Sequence, residues 1–107
     1  MQQRIEDDVV VRRLRPALLE LYGDRLERII LFGSRARGDA REDSDYDVAV
    51  FLRDLGDRWP ERERLASLRS VLLEEIGAFL DAKPFPAGAY FDRTMLMGEI
   101  RRDGVDL

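Results

Sequence analysis

The sequence predicts an α/β (α+β) fold, with helices packed on a small mixed sheet of three or four strands. Two observations carry this expectation. Arg28 to Phe32 and Tyr46 to Leu52 are continuous β-prone apolar runs of strand length, the pattern of strands covered on both faces. Around them apolar residues recur at helical spacing, giving the order helix, strand, loop, strand, helix, strand, helix.

The first helical pattern is Ile5, Val9, Leu14, Leu18, Leu21 and Tyr22, ended by Gly23-Asp24. Pro16 interrupts it, which predicts either one kinked helix or a short helix followed by a second beginning near Pro16. After the strand at 28–32, Gly33 to Ser44 is polar and charge-rich, a loop with room for one helical turn. The strand at 46–52 follows. Asp57-Arg58-Trp59-Pro60 then opens a helix, with Pro60 in its first turn and Asp57 or Asp54 as cap. Leu65, Leu68, Leu72, Ile76 and Phe79 form its apolar stripe. Ala78 to Lys83 is a third, weaker strand, and Pro84, Pro86 and Gly88 predict a rigid loop. Asp92 is the expected N-cap of a last helix, Arg93 to Arg102, closed by Gly104, with Val105 to Leu107 as a short edge strand.

Composition prunes the chemistry. At 107 residues, 45% apolar and 37% charged, the chain suits one globular domain, 1–107. No apolar run approaches the ~18 residues that cross a bilayer. The polar start, Met1 to Asp8, has no secretory pattern and there is no cysteine, so the cytoplasm is the expected compartment. With no His and no Cys, Ser-His triads, thiol nucleophiles and the usual zinc sites are excluded. A metal must be held by oxygen, which favours Mg²⁺ or Mn²⁺. A general base must be a carboxylate, a tyrosine or the single lysine, Lys83. The net charge of −4 argues against general nucleic-acid binding.

Within this frame Asp45 and Asp47 stand out. Two apart at the start of a strand, they project from one face with Cα atoms ~6.5 Å apart. Two carboxylates there repel each other and lose hydration, a cost that a shared divalent cation offsets. A bare Asp-x-Asp also fits a solvated turn; the partner element shifts the balance. Gly33 lets the backbone approach a ligand closely, and the adjacent amides with the Ser34 hydroxyl suit phosphate oxygens. Ten residues separate Ser34 from Asp45, enough to bring the two strands side by side. The Gly33-to-Gly38 spacing is that of a P-loop, but Asp39 stands where its lysine belongs, which excludes that motif. Arg37-Gly38-Asp39 as a cell-attachment tripeptide is coincidental in a chain without secretory features.

Leu31-Phe32-Gly33-Ser34-Arg35-Ala36-Arg37-Gly38, continuing to Asp43-Ser44-Asp45-Tyr46-Asp47-Val48-Ala49-Val50, resembles the polymerase-β-like nucleotidyltransferases. Within them it is most similar to the minimal nucleotidyltransferase (MNT) antitoxins. The resemblance implies that Gly33 and Ser34 hold a triphosphate, with Arg35 beside them, and that Asp45 and Asp47 ligate Mg²⁺. It also implies a third carboxylate from a later strand, Asp81, with Asp92 as the alternative. The implied activity is transfer of AMP from ATP to a hydroxyl, with tyrosine expected, of a HEPN ribonuclease toxin. Two other functions stay open: a silent antitoxin that masks its partner sterically, and an adenylyltransferase acting on a small molecule. Ser34 also fits a turn-capping role, and Arg35 and Arg37 suit either phosphate contact or charge balance. Tyr46 points away from the acids into the core. Trp59, Met95 and Met97 read as packing residues.

Overall fold

The computed structural model describes residues 4–107, so Met1 to Gln3 of the polar N-terminal stretch lie outside the described residues. A 3-10 turn at Ile5–Asp7 leads into helix α1, Val9–Tyr22. The interruption between them falls at Asp8 and not at Pro16, which lies inside α1. Asp8 is extended, and its Oδ1 accepts from the amides of Val10 (2.8 Å) and Val11 (3.4 Å). A cap that satisfies first-turn donors fixes where a helix starts. Pro16 removes a single bond further along, and the buried face of Val10, Val11, Leu14, Leu18 and Tyr22 keeps the helix continuous. Leu21, expected on that face, is 40% exposed. Gly23, at φ 53°, ends the helix as expected.

Four strands follow in one mixed sheet: β1 (Leu26–Phe32), β2 (Tyr46–Leu52), β3 (Leu80–Pro86) and β4 (Val105–Asp106). Their spatial order is β3-β2-β1-β4, with β1 antiparallel to β2 and β4, and β3 parallel to β2. Parallel pairing needs a crossover, which helix α3 (Trp59–Ile76) supplies. The central strands are covered on both faces because their apolar runs do not alternate. Ile29, Leu31, Tyr46, Val48, Val50 and Leu52 pack with α1 and α3 on one face. Ile30, Phe32, Ala49 and Phe51 pack on the other with Ala89, Met97 and Ile100 from the last part of the chain.

Several sequence expectations shift here. Helix α3 ends at Gly77 (φ 67°), so Phe79 lies beyond it and is 39% exposed, while Leu65, Leu68 and Leu72 form the buried stripe. Asp57 Oδ1 accepts from the Trp59 amide (3.0 Å), the expected start. Strand β3 runs two residues later at its start and three at its end than the predicted 78–83. It takes in Pro84 and Pro86, which therefore do not form a loop. A strand at the sheet edge has one side with no ladder partner, and residues 84 and 86 share a parity, so two missing N–H groups are tolerated. Helix α4 is Met95–Asp103, capped by Thr94, whose Oγ1 accepts from the Met97 amide (3.1 Å). Asp92 instead ends a 3-10 turn, Ala87–Phe91. Gly104, extended at φ −72° and ψ 150°, caps the end of α4 as expected, and the position admits only glycine because a Cβ there would strike the Ile100 carbonyl and the Ile30 side chain. Of the expected packing residues, Met97 is buried, but Trp59 (64%) and Met95 (95%) are exposed.

Candidate active site

The single helical turn expected between the first two strands is present as α2, Ser34–Arg37. Gly33 joins it to β1 with φ 73° and ψ −157°, a conformation open to glycine and strained for any other residue. Its carbonyl accepts from the amides of Ala36 and Arg37, both at 3.1 Å. The β1–β2 register pairs Phe32 with Asp47, which brings Gly33 against the Asp47 side chain. A Cβ on Gly33 would strike Asp47 Oδ2 and lie 3.2 Å from its Cγ. Glycine is thus required twice at this position, by backbone angle and by proximity.

Parallel pairing places Asp47 of β2 directly beside Asp81 of β3. Asp45 stands one residue before β2. Carboxylate oxygens of Asp45, Asp47 and Asp81 lie within 4.8 Å of one another, with Asp45 exposed and the other two partly buried. Asp92 is not part of this cluster. The three acids share the sheet face that carries α4, and Tyr46 points to the opposite face, where its hydroxyl donates to Asp8 Oδ2 (2.6 Å). Burial and this bond push the Tyr46 hydroxyl up to about 12.

Such a cluster is electrostatically costly when empty. Burial raises the Asp47 carboxyl above its ordinary range, and Asp81 and Asp45 add to the rise. Glu99 contributes in the same direction and Lys83 opposes it. Lys83 Nζ lies 3.8 Å from Asp81 Oδ2, a compensating positive charge at the edge of the cluster. Three convergent carboxylates with no nitrogen or sulfur donor form a hard-oxygen set, and it fits Mg²⁺ or Mn²⁺ in chemistry and spacing.

The neighbouring arginines are already engaged. Arg35 donates to the Ser44 carbonyl from Nε (3.3 Å) and Nη2 (3.0 Å), and from Nη2 to the Glu42 carbonyl (3.1 Å). Arg37 reaches Asp39 (3.4 Å) and, across to α4, Glu99 (3.9 Å) and Asp103 (4.0 Å). Glu99 went unrecognised in the sequence because its proximity to Asp47 depends on how α4 crosses the sheet, which no local pattern records. A groove of 660 Å³, lined by Ile5, Val11, Arg15, Val105 and Leu107 among others, contains none of the three clustered acids. Among the described residues no helix is long and apolar enough to cross a membrane.

Comparison with known proteins agrees with this geometry. The model of the nucleotidyltransferase domain family matches residues 11–86, which include Gly33, Ser34 and all three acids. Over 46 residues the chain is 37% identical to the protein adenylyltransferase MJ0141 named from Methanocaldococcus jannaschii, covering 43% of this chain and 46% of that protein. It also resembles a chain in a crystal structure of a toxin–antitoxin MntA–HpeT mutant, with 27% identity and a TM-score of 0.58 over 84% of this chain and 65% of that one. A chain in a toxin–antitoxin crystal structure with AMP-PNP is similar at 26% identity and a TM-score of 0.58, over 83% and 65%. The match thus spans about half the length of the curated relative and just under two thirds of the solved chains.

Proposed function

The chain belongs to the nucleotidyltransferase domain family, and on that premise we propose that it transfers AMP from ATP to a hydroxyl of a partner toxin and thereby acts as the antitoxin. The acceptor in this proposal is a tyrosine of a HEPN-type ribonuclease, and the reaction takes place in the cytoplasm. One observation carries the reading: two carboxylates from adjacent strands and a third from the residue just before β2 converge within 4.8 Å, beside a glycine that has no room for a side chain. The similarity to a chain in a structure with AMP-PNP supports a nucleoside triphosphate substrate. The similarity to chains of toxin–antitoxin structures supports a toxin partner.

In this mechanism Asp45, Asp47 and Asp81 would hold Mg²⁺, which would supply neutralising charge for the triphosphate. Gly33 and the Ser34 hydroxyl bind phosphate oxygens at the end of β1. The acceptor oxygen forms a bond to the α-phosphorus as the bond from that phosphorus to the β-phosphate bridging oxygen breaks. Pyrophosphate leaves, and the acceptor proton passes to a carboxylate, for which Asp81 is the candidate. The exposure of Asp45 at the start of β2 suits an acceptor carried by a large partner.

The test is incubation with labelled ATP, Mg²⁺ and a HEPN-type toxin encoded by a gene adjacent to that of this chain. Label should appear on a toxin tyrosine and be lost in Asp45→Ala/Asp47→Ala. Neutralisation of the toxin by that double variant, with no label transferred by the wild type, would overturn the enzymatic reading in favour of steric masking.

A further inference from the structure

Asp45 is the most exposed member of the acid cluster, and it lies one residue before the first strand residue. The sheet therefore does not hold the chain on its N-terminal side. Residues 38–45, between α2 and β2, contain no helix or strand. The direction in which Asp45 projects depends on the peptide group that joins it to Ser44, and the carbonyl of that group is the one Arg35 grips.

Three features make the grip specific. Nε and Nη2 of Arg35 both donate to the Ser44 carbonyl, and Nη2 also donates to Glu42 two residues earlier. The guanidinium lies over the Tyr46 ring, 4.3 Å from its centroid, so the residues on both sides of Asp45 are fixed by one side chain. Tyr46 is in turn anchored through its hydroxyl to Asp8, the cap of α1. The turn itself is closed by the Ser44 amide donating to the Arg41 carbonyl (3.0 Å) and the Arg41 amide donating to Ser44 Oγ (2.8 Å).

We propose that Arg35 is a positioning residue: its guanidinium locks the Glu42–Ser44 turn against the Tyr46 ring and so holds Asp45 in place with Asp47 and Asp81, instead of contacting the triphosphate. This rests on the nucleotidyltransferase reading, since what is positioned is a metal ligand. A planar fork that bridges two carbonyls while stacked on a ring is a geometry an ammonium cannot reproduce. Lysine at this position keeps the charge and loses the clamp. That difference separates positioning from simple attraction of phosphate.

The experiment measures Mn²⁺ binding to nucleotide-free protein by electron paramagnetic resonance, for the wild type, Arg35→Lys and Arg35→Ala. Deuterium uptake by residues 39–45 is followed in parallel. Both variants are expected to bind Mn²⁺ about 10- to 100-fold more weakly, as when a group supporting a metal ligand is removed. Uptake should rise in 39–45 and stay unchanged in β1 and β2. If Mn²⁺ affinity and uptake are unchanged in Arg35→Lys while binding of a fluorescent ATP analogue falls, Arg35 touches phosphate and the proposal is wrong. Should Arg35→Ala fail to fold, Arg35→Lys alone decides between these outcomes. Absence of Mn²⁺ binding by the wild type would overturn the metal-dependent reading together with this one, whereas normal wild-type binding with unaffected variants overturns the clamp alone.

Discussion

Gly33 faces the carboxylate of Asp47 so closely that a single methyl group on the glycine would clash with Asp47 Oδ2. The loop proposed to bind phosphate and the acid proposed to bind metal are therefore in contact, and neither can move independently. Gly33→Ala should both strain the backbone at φ 73° and displace Asp47. The expected cost is about 1–3 kcal/mol of stability and about a 100-fold loss of transfer rate from a displacement near 1 Å. Urea unfolding and single-turnover labelling measure the two effects. A variant with wild-type turnover would show that the close approach is not needed.

For the third carboxylate the sequence favours Asp81 and leaves Asp92 as the alternative, and the geometry brings only Asp81 into the cluster. Asp81 pairs with Asp47 across β2 and β3, whereas Asp92 ends the turn before α4, where its carbonyl accepts from Arg101 (3.0 Å). Asp81→Asn should reduce transfer by roughly 100-fold or more, and Asp92→Asn should leave it within about twofold. Parallel assays of the two variants test the assignment, and equal loss in both would contradict it.

The pH response of the metal-free protein follows from Asp47. Its carboxyl titrates above the ordinary carboxylate range, with burial as the largest cause. Between the ordinary and the raised value the native state binds more protons than the unfolded chain, so stability falls as pH rises through that window. Asp47→Asn removes the penalty. At pH 7 without metal this variant should melt a few degrees higher than the wild type, and the gap should close at about pH 4 and below. Adding Mg²⁺ should raise the wild-type melting temperature and leave the variant unmoved. Thermal scans across pH, with and without metal, check each part.

Glu61 should behave in the opposite way. It is 5% exposed at the start of α3, with Arg25 Nη2 at 3.0 Å and Arg64 Nη1 at 2.6 Å. Burial alone would raise its carboxyl, but the hydrogen bonds from Arg25 and Arg64 outweigh it and hold the group below its usual range. That stability is present above the unfolded value and lost as pH falls through the depressed one. Glu61→Gln should cost about 1–3 kcal/mol at neutral pH, because two cations lose their partner. The deficit should shrink in acid. Chemical denaturation at pH 7 and pH 3 distinguishes this from a surface pair, which would show under about 1 kcal/mol at either pH.

The two central strands and the Gly33-Ser34 and Asp45-x-Asp47 motifs were legible because their signals are local. An unbroken apolar run is a strand buried on both faces wherever it sits, and two residues of spacing put two acids on one side. The errors cluster where an element's meaning depends on its neighbours. Pro84 and Pro86 look like loop residues until β3 is known to lie at the sheet edge. Trp59 and Met95 look like core residues, yet no neighbouring element covers them. For Arg35 the sequence leaves phosphate contact and charge balance equally open, and only the fold shows its guanidinium donating to the Glu42 and Ser44 carbonyls.

By itself, then, the sequence limited any metal ligands in this chain to oxygen donors, since it contains no His or Cys, and singled out Gly33, Ser34, Asp45 and Asp47 as the candidate site. Which later acid completes the cluster was decided only by the tertiary structure. Parallel register between β2 and β3 sets Asp81 opposite Asp47, and register is fixed by the packing of α3 and the core on the sheet, not by the residues around Asp81. The same packing presses Gly33 onto Asp47, turning two separate motifs into one site.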